Sequence, residues 1–296
     1  MMGRSVSHAG TSPGRLKREV IIARYSLSEP IRMPSSSSKN FNHSQPLDFD
    51  FTPKEAPVGE NLLVNQSEGL GDILFLMSLV YKWINENGCR VVWPVNPQFL
   101  DIQRHFKEII FLDCTQFHYN NSGPTIPEHQ AGMKVINFRW AAQNLGCRLN
   151  DCMQSKYWWY GEDYNQFRNL WDCIADDPLA KWRELNQILK VPEEYNLVCN
   201  EFQSDRSGRL NIRIANGLPT IELRPIKGFT LIDWWNIIQS ATYIHTVSTS
   251  NLYLLETMNL KAREIHLYPR LPFDENLDPV RALLSKNYIL HEIKSC

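Results

Sequence analysis

The sequence predicts an α/β protein with two Rossmann-like halves behind a disordered N-terminal tail. From residue 61 to about 138, short apolar runs alternate with amphipathic runs at helical spacing, and the same alternation starts again at Tyr195. Strands that alternate with helices usually form parallel sheets. We therefore expect a tail at 1–58, a first domain at 59–190 and a second domain at 191–296.

Composition limits the partners of this chain. Residues 1–58 contain ten Ser and six Pro but none of the nine Trp, so they cannot bury a core. The net charge of -1 disfavours nucleic acid as the main partner. We expect no membrane span, because no apolar run reaches about 18 residues. The seven Cys form no C-x-x-C pair, and no secretory signal is visible, which predicts reduced thiols, a cytoplasmic protein and no zinc site.

The first strand-loop-helix unit, residues 61–87, is the most informative stretch. An apolar strand at 62–64 leads through Gly69-Leu70-Gly71-Asp72 into a helix with apolar residues at helical spacing. Glycines permit a close approach to a ligand, and the free N–H groups of a helix start suit anions or sugar hydroxyls. Asp72 is either a capping carboxylate or a general base at a cleft. The third glycine of the dinucleotide motif is missing and no ATPase phosphate loop is present.

The remainder of the first domain supplies two candidate cations. Strands are predicted at 90–95, 109–113 and 133–138, and helices at 100–108, 165–174 and 177–189. Arg139 ends the last of these strands, where ligands of parallel sheets gather, although a surface salt bridge is the alternative. Lys156 lies among the aromatic residues 157–160, which either stack on a sugar or simply pack between the domains.

The second domain repeats the pattern. Helices are predicted at 230–239 and 249–258, and strands at 196–199, 210–214, 220–223, 242–247, 264–267 and 288–290. A strand that contains His245 passes through Ser248-Thr249-Ser250 into a helix. Hydroxyls and N–H groups at a helix start suit a diphosphate, and an ordinary Ser/Thr cap is the alternative.

These two loops together resemble the GT-B class of nucleotide-sugar glycosyltransferases, most of all its heptosyltransferase-like branch and related sugar transferases of large viruses and phages. Gly69-Leu70-Gly71-Asp72 matches the acceptor-side G-x-G-D motif of that branch, and Ser248-Thr249-Ser250 is the nearest stretch to its donor-side D-S-G motif. The resemblance covers residues 61–293. It implies two Rossmann-like domains that face each other across a cleft, with no obligatory metal and no cofactor besides the nucleotide sugar as co-substrate.

The expected site follows from the charges that glycosyl transfer develops on the sugar and on the leaving diphosphate. We expect Asp72 to act as the base on a glycan or glycoconjugate hydroxyl. Acceptor contacts are expected from Gly69, Gly71, Arg139 and Lys156. Nucleotide-sugar contacts are expected from Arg206, Arg224, Lys227, His245, Ser248, Thr249, Ser250 and Glu256.

Several of these residues keep a second interpretation. Ser248 replaces the acidic residue of D-S-G, which speaks against ADP-heptose as the donor. Glu256 either accepts hydrogen bonds from a ribose or is a solvated carboxylate, and His245 is either a ligand or an ordinary strand histidine. Two other functions share the layout. A nucleotide-sugar epimerase would need a second carboxylate across the cleft, and a non-catalytic binding module would use Asp72 only as a cap.

Overall fold

The computed structural model describes part of the chain. The described residues are 31–32, 52–66, 69–116, 119–120, 123–124, 129–130, 132–138, 141–146, 151–175, 179–202, 208–270 and 278–291. Most of the predicted tail lies outside them, as do two of the predicted site residues, Arg139 and Arg206.

Fifteen strands and seven α-helices are formed by these residues. The strands are β1 (Ile31–Arg32), β2 (Asn61–Asn65), β3 (Arg90–Val95), β4 (Ile109–Asp113), β5 (Tyr119–Asn120), β6 (Gly123–Pro124), β7 (His129–Gln130), β8 (Met133–Asn137), β9 (Asn196–Cys199), β10 (Glu201–Phe202), β11 (Gly208–Arg209), β12 (Thr220–Glu222), β13 (Tyr243–Val247), β14 (Glu264–Tyr268) and β15 (Tyr288–Leu290). The α-helices are α1 (Leu70–Asn85), α2 (Ala141–Asn144), α3 (Ser155–Trp158), α4 (Leu179–Leu189), α5 (Trp235–Ser240), α6 (Asn251–Thr257) and α7 (Asp278–Arg281). Four 3₁₀ helices span Pro97–Arg104, Cys114–Gln116, Tyr164–Cys173 and Leu231–Trp234.

The first sheet has the strand order β4-β3-β2-β8-β7. Its first four strands are parallel, and β7 joins the edge antiparallel to β8. Leu62, Leu63 and Val64 of β2 are buried because helices cover both faces of a parallel sheet. The chain leaves β2 toward β3 on one side and later returns to β8 on the other. The order therefore reverses between β2 and β8.

The second sheet has the strand order β1-β15-β14-β13-β9-β12, and all of its strands are parallel except the edge strand β1. The strand order reverses between β9 and β13. The two parallel sheets confirm the predicted α/β class. The predicted strand at 210–214 is wrong: Leu210 and Ile212 pack on Val247 and Tyr268 instead of joining a ladder.

Helix α1 lies at the centre of the core. Its side chains from Ile73 to Val80 are buried on every side, since the aromatic section that follows the first sheet packs around them. The ring centroid of Phe75 lies 5.1 Å from that of Tyr157 and 5.0 Å from that of Phe167. The Tyr157 hydroxyl donates to the Phe75 carbonyl at 2.7 Å. Tyr253 of α6 reaches the same cluster, 5.7 Å from Phe75. The aromatic section therefore forms core that joins the two halves.

Two of the predicted α-helices are 3₁₀ helices in the structure. The helices predicted at 100–108 and 165–174 are the 3₁₀ helices Pro97–Arg104 and Tyr164–Cys173.

The tail begins to pack on the rest of the chain before its predicted end at residue 58. The Lys54 N–H donates to the Trp159 carbonyl at 2.9 Å, and the Pro57 carbonyl accepts from Asn87 Nδ2 at 2.9 Å. Residues 54–57 are thus tied to the first half.

Candidate functional site

A cavity of about 1050 Å³ lies where loops at the carboxyl ends of the two sheets meet. One side is lined by residues that follow β2 and β3, and the other side by residues that follow β9, β12 and β13. Loops that diverge at a reversal of strand order leave a crevice, which is where α/β sheets bind ligands. Here β2 and β13, one strand from each reversal, supply loops to the same cavity. Of the predicted residues, the structure brings together Gly69, Gly71, Asp72, Arg224, Ser248, Thr249 and Ser250.

Asp72 lines this cavity but does not cap its helix. Gly69 occupies the N-cap position of α1, and no side-chain capping hydrogen bond is present there. Asp72 is in the first turn and forms an ion pair with Lys156 of α3. The Lys156 side chain is 7% exposed and that of Asp72 is 30% exposed. Lys156 is therefore buried behind the carboxylate, outside the cavity lining, and Asp72 presents the charge to the cavity.

Both glycines of the loop are required by the geometry. Gly69 has φ of 81°, and a Cβ atom there would lie 2.6 Å from Asp72 Oδ2. A Cβ atom on Gly71 would lie 2.6 Å from Cε2 of Tyr253. Gly69 thus permits both the left-handed turn and the present position of the carboxylate. Gly71 permits the contact between α1 and α6 that closes the cavity on one side.

The loop after β13 is held by a short chain of hydrogen bonds. Thr249 Oγ1 donates to Asn251 Oδ1, and Asn251 Nδ2 donates to Thr246 Oγ1 at 2.6 Å. The Ser248 N–H donates to the Tyr268 carbonyl at 3.2 Å. Ser250 precedes α6 without capping it. The loop therefore lines the cavity with hydroxyls and is held to β13 through the side chain of Thr246 and to β14 through the carbonyl of Tyr268.

The side of the cavity that contains Cys199, Glu201, Arg224, Ser248–Ser250 and Arg270 is called the second wall, and it carries two arginines and a neutral thiol. Arg224 follows β12, and Arg270 follows β14 at the same end of the sheet. Burial raises the pKa of Cys199 to about 11, so this thiol is uncharged at neutral pH. Arg270 was missed by the sequence analysis, although its place just after a strand is the signal that selected Arg139.

Glu256 and Lys227 do not reach the cavity. The Glu256 carboxylate accepts hydrogen bonds from Ser285 N at 2.9 Å and from Tyr288 Oη at 2.7 Å, and it lies 3.6 Å from Arg168. Neither interpretation from the sequence is right for Glu256, because it is buried and its acceptors are used within the chain. Lys227 is exposed in a turn and does not line the cavity.

His245 lies in a different place, a smaller cavity of about 360 Å³ on one face of the second sheet. Its ring stacks on His266 at 4.4 Å between centroids, and His266 Nδ1 is 2.9 Å from His291 Nε2. Burial lowers the pKa of His245 to about 3, with a further contribution from the two other histidines. Burial, with a further contribution from His266, lowers the pKa of His291 to about 4. The structure thus separates His245 from the other predicted donor contacts.

A polar cluster that the sequence did not indicate joins the two halves beside the cavity. Arg104 forms an ion pair with Asp233, and His105 Nε2 is 2.9 Å from Thr230 Oγ1, which lines the cavity. Burial would raise the pKa of Asp233, but its contacts with His105 and hydrogen bonds from Thr230 outweigh this and lower it. The Asp233 carboxylate is therefore ionised. It holds Thr230, which lines the cavity, close to Arg104 of the first half.

The described part of the chain contains no group of three or more His, Cys, Asp or Glu side chains arranged to hold a metal ion. It also contains no helix with the length and apolarity to cross a membrane.

No protein-family model matches the chain, and no curated protein matches its sequence. Glycosyltransferases are among the solved structures that are similar to this chain. The dodecameric, iron-containing glycosyltransferase TibC of enterotoxigenic E. coli is 12% identical with a TM-score of 0.43, over 75% of this chain and 61% of TibC. This chain thus spans less than two thirds of that protein.

Two other similar structures have comparable scores. The family 9 glycosyl transferase of Veillonella parvula is 7% identical with a TM-score of 0.42, over 73% of this chain and 83% of that one. The E. coli heptosyltransferase WaaC, solved with ADP-2-deoxy-2-fluoro heptose, is 12% identical with a TM-score of 0.40, over 78% of this chain and 92% of WaaC. The expected likeness to viral and phage transferases stays a prediction.

Proposed function

We propose that this protein is a glycosyltransferase that moves a sugar from a nucleoside-diphosphate sugar to a hydroxyl of a glycan or glycoconjugate. The cavity carries this proposal, because it is lined by the carboxylate of Asp72 on one side and by hydroxyls and two arginines on the other. Glycosyl transfer needs a proton acceptor at the attacking hydroxyl and donors at the departing diphosphate. Two domains that face each other across a cleft are part of the proposal.

In this mechanism Asp72 is the general base. It is in the first turn of α1, directly after the loop that follows β2, and lies at the cavity surface, whereas Lys156 is buried behind it. Lys156 therefore orients the carboxylate and is a positioning residue, not an acceptor contact. A base that removes the proton from the attacking hydroxyl implies direct displacement, with inversion at the anomeric carbon.

The donor would lie against the second wall. Ser248 and Ser250 offer hydroxyl donors, Thr249 holds the same loop through its bond to Asn251, and the guanidinium groups of Arg224 and Arg270 would offset the charge of the leaving diphosphate. We propose that this charge compensation does not require a divalent metal. Arg139 and Arg206, which lie outside the described residues, stay proposals from the sequence as further cations at the acceptor and donor.

The first test is a thermal-shift screen of the full chain with UDP, GDP, ADP, CMP and their sugar conjugates, with EDTA present. A ligand that binds only the native state raises the melting temperature. We expect a shift with one nucleoside diphosphate that is lost in Arg224→Ala and kept in the exposed control Arg183→Ala. No shift with any of these ligands, from folded protein, would contradict the proposal.

The second test is turnover of the nucleotide sugar that binds. Asp72→Asn keeps the shape of the side chain but removes the base, so we expect transfer to fall by about 100-fold or more while the thermal shift is kept. Unchanged turnover in Asp72→Asn would show that Asp72 is not the base. Binding without turnover for every acceptor would favour the binding module.

Glu201 supports a second candidate, the nucleotide-sugar epimerase, because it places a carboxylate on the wall opposite Asp72. An epimerase would convert the nucleotide sugar without any acceptor, and Glu201→Gln would abolish that conversion. A transferase releases the nucleoside diphosphate at a rate that depends on the acceptor. Analysis of the products with and without acceptor therefore separates the two.

A further inference from the structure

The first wall of the cavity, defined here as Asn96, Gln98, Phe99 and Asp101, has the chemistry of a carbohydrate-binding surface. All four line the cavity and lie in or directly before the 3₁₀ helix Pro97–Arg104, which follows the end of β3. The amides can donate and accept hydrogen bonds, and a carboxylate accepts them. The half-buried Phe99 adds an aromatic surface for the C–H face of a sugar ring. This combination suits a ligand that carries many hydroxyls.

The backbone holds this wall in place. Asn96 Oδ1 accepts from the Gln98 N–H at 3.2 Å and so caps the 3₁₀ helix. Ile102, one 3₁₀ turn after Phe99, is buried and anchors the same side of the helix to the core. At the far end of the helix, Arg104 is tied to Asp233 and to the Gly228 carbonyl at 3.1 Å. The polar side chains are therefore presented from a helix that is fixed at both ends.

The two sides of the cavity differ in charge. Among the described residues, the charged ones that line the first side are Asp72 and Asp101, both acidic. On the other side they are Arg224, Arg270 and Glu201. An anionic group is thus favoured on the side of the arginines and repelled on the side of the first wall, because like charges placed together disfavour binding.

We infer that the acceptor of this protein is an uncharged carbohydrate and not a phosphorylated one. The inference rests on the proposed function, since it takes the first wall as the acceptor side. The diphosphate of the donor is held by the arginines, and the acceptor hydroxyl approaches Asp72 from the wall of amides. A phosphate monoester, with about two negative charges at neutral pH, would lie beside Asp101 and beside Asp72, whose charge Lys156 offsets in part, so Asp101 supplies most of the repulsion.

The test is isothermal titration calorimetry of the full chain with neutral disaccharides, namely maltose, cellobiose, lactose and mannobiose, and with their 6′-phosphates. Each is titrated with and without the nucleoside diphosphate that gives a thermal shift. We expect at least one neutral disaccharide to bind about tenfold more tightly than its phosphate. Asp101→Lys should reduce this preference to about twofold or reverse it. The matched charge reversal Glu184→Lys, on the exposed face of α4 and outside the cavity, should leave it unchanged.

Three results would overturn the inference. One is tighter binding of a phosphorylated disaccharide to the native chain, above all if Arg139→Gln abolishes it, since the sequence predicts Arg139 as a cation for the acceptor. Another is a preference for neutral sugars that Asp101→Lys does not change. The third is no binding of any disaccharide while the nucleoside diphosphate still binds.

Binding of the nucleoside diphosphate, measured in the same chain, separates failure of this inference from failure of the proposed function. Neutral disaccharide binding that depends on Asp101, in a chain that binds no nucleoside diphosphate, would support the carbohydrate wall and contradict the glycosyltransferase. Nucleotide binding with a preference for phosphorylated disaccharides would support the glycosyltransferase and contradict the neutral acceptor.

Discussion

The stacked histidines of the second sheet should make the stability of this protein depend on pH. His245 is buried, and its pKa is lowered from 6.5 to about 3 by burial and by His266 and His291. In the unfolded chain the same imidazole titrates near 6.5. Below that pH the unfolded chain binds a proton that the folded chain does not. The contribution of this neutral histidine to the free energy of unfolding is therefore fully present above pH 6.5 and is lost progressively as the pH decreases toward 3.

The size of the effect follows from linkage. One histidine that stays neutral in the folded state costs about 1.4 kcal/mol for each pH unit below 6.5, or about 2 kcal/mol between pH 6.5 and 5. His266 and His291 have lowered pKa values too and act in the same direction. The other titratable or charged groups that line this cavity are Tyr243, Tyr268, Glu264 and Arg213.

The assay is urea unfolding at pH 6.5 and pH 5, followed by tryptophan fluorescence, in the native chain and in His245→Phe. Phenylalanine keeps an aromatic ring in the stack and cannot bind a proton. We expect the native chain to lose about 2 kcal/mol more than His245→Phe over this range. His245→Gln should behave like His245→Phe. Tyr268→Phe removes the hydroxyl 3.2 Å from His245 Nδ1 but keeps the imidazole, so it should retain the pH dependence. Equal losses in the native chain and His245→Phe would refute the reasoning.

Three other substitutions test the packing and the site. Gly71→Ala places a Cβ atom 2.6 Å from the Tyr253 ring and should cost about 1–3 kcal/mol of unfolding free energy, and unchanged stability in urea would contradict that contact. Glu256→Ala leaves Ser285, Tyr288 and Arg168 without their buried acceptor and should cost about 3–5 kcal/mol, against less than about 0.5 kcal/mol for the exposed control Glu184→Ala. Lys156→Met should lower kcat about tenfold without changing the thermal shift by nucleoside diphosphate, because it frees the orientation of the base. Loss of the thermal shift would instead assign Lys156 to the donor site.

The local elements were readable from the sequence because they depend on short-range patterns. The strands predicted at 90–95 and 288–290 have the observed bounds, and the helix after Gly69 is found where apolar residues recur at helical spacing. The glycine loop was recognised because few other residues allow such a turn. Alternation was less reliable at 210–214, where apolar side chains pack without a ladder.

What the chain order establishes is which loops emerge at the carboxyl ends of the strands, and this was enough to place Asp72 and Ser248 at one cavity. It does not establish the direction of a side chain, because that depends on the phase of a helix against its neighbours. Glu256 was therefore assigned to a ligand, whereas packing turns it toward Ser285 and Tyr288. The pairs Asp72–Lys156 and Arg104–Asp233 join residues 84 and 129 positions apart, and they exist only because the packed elements bring those side chains into contact.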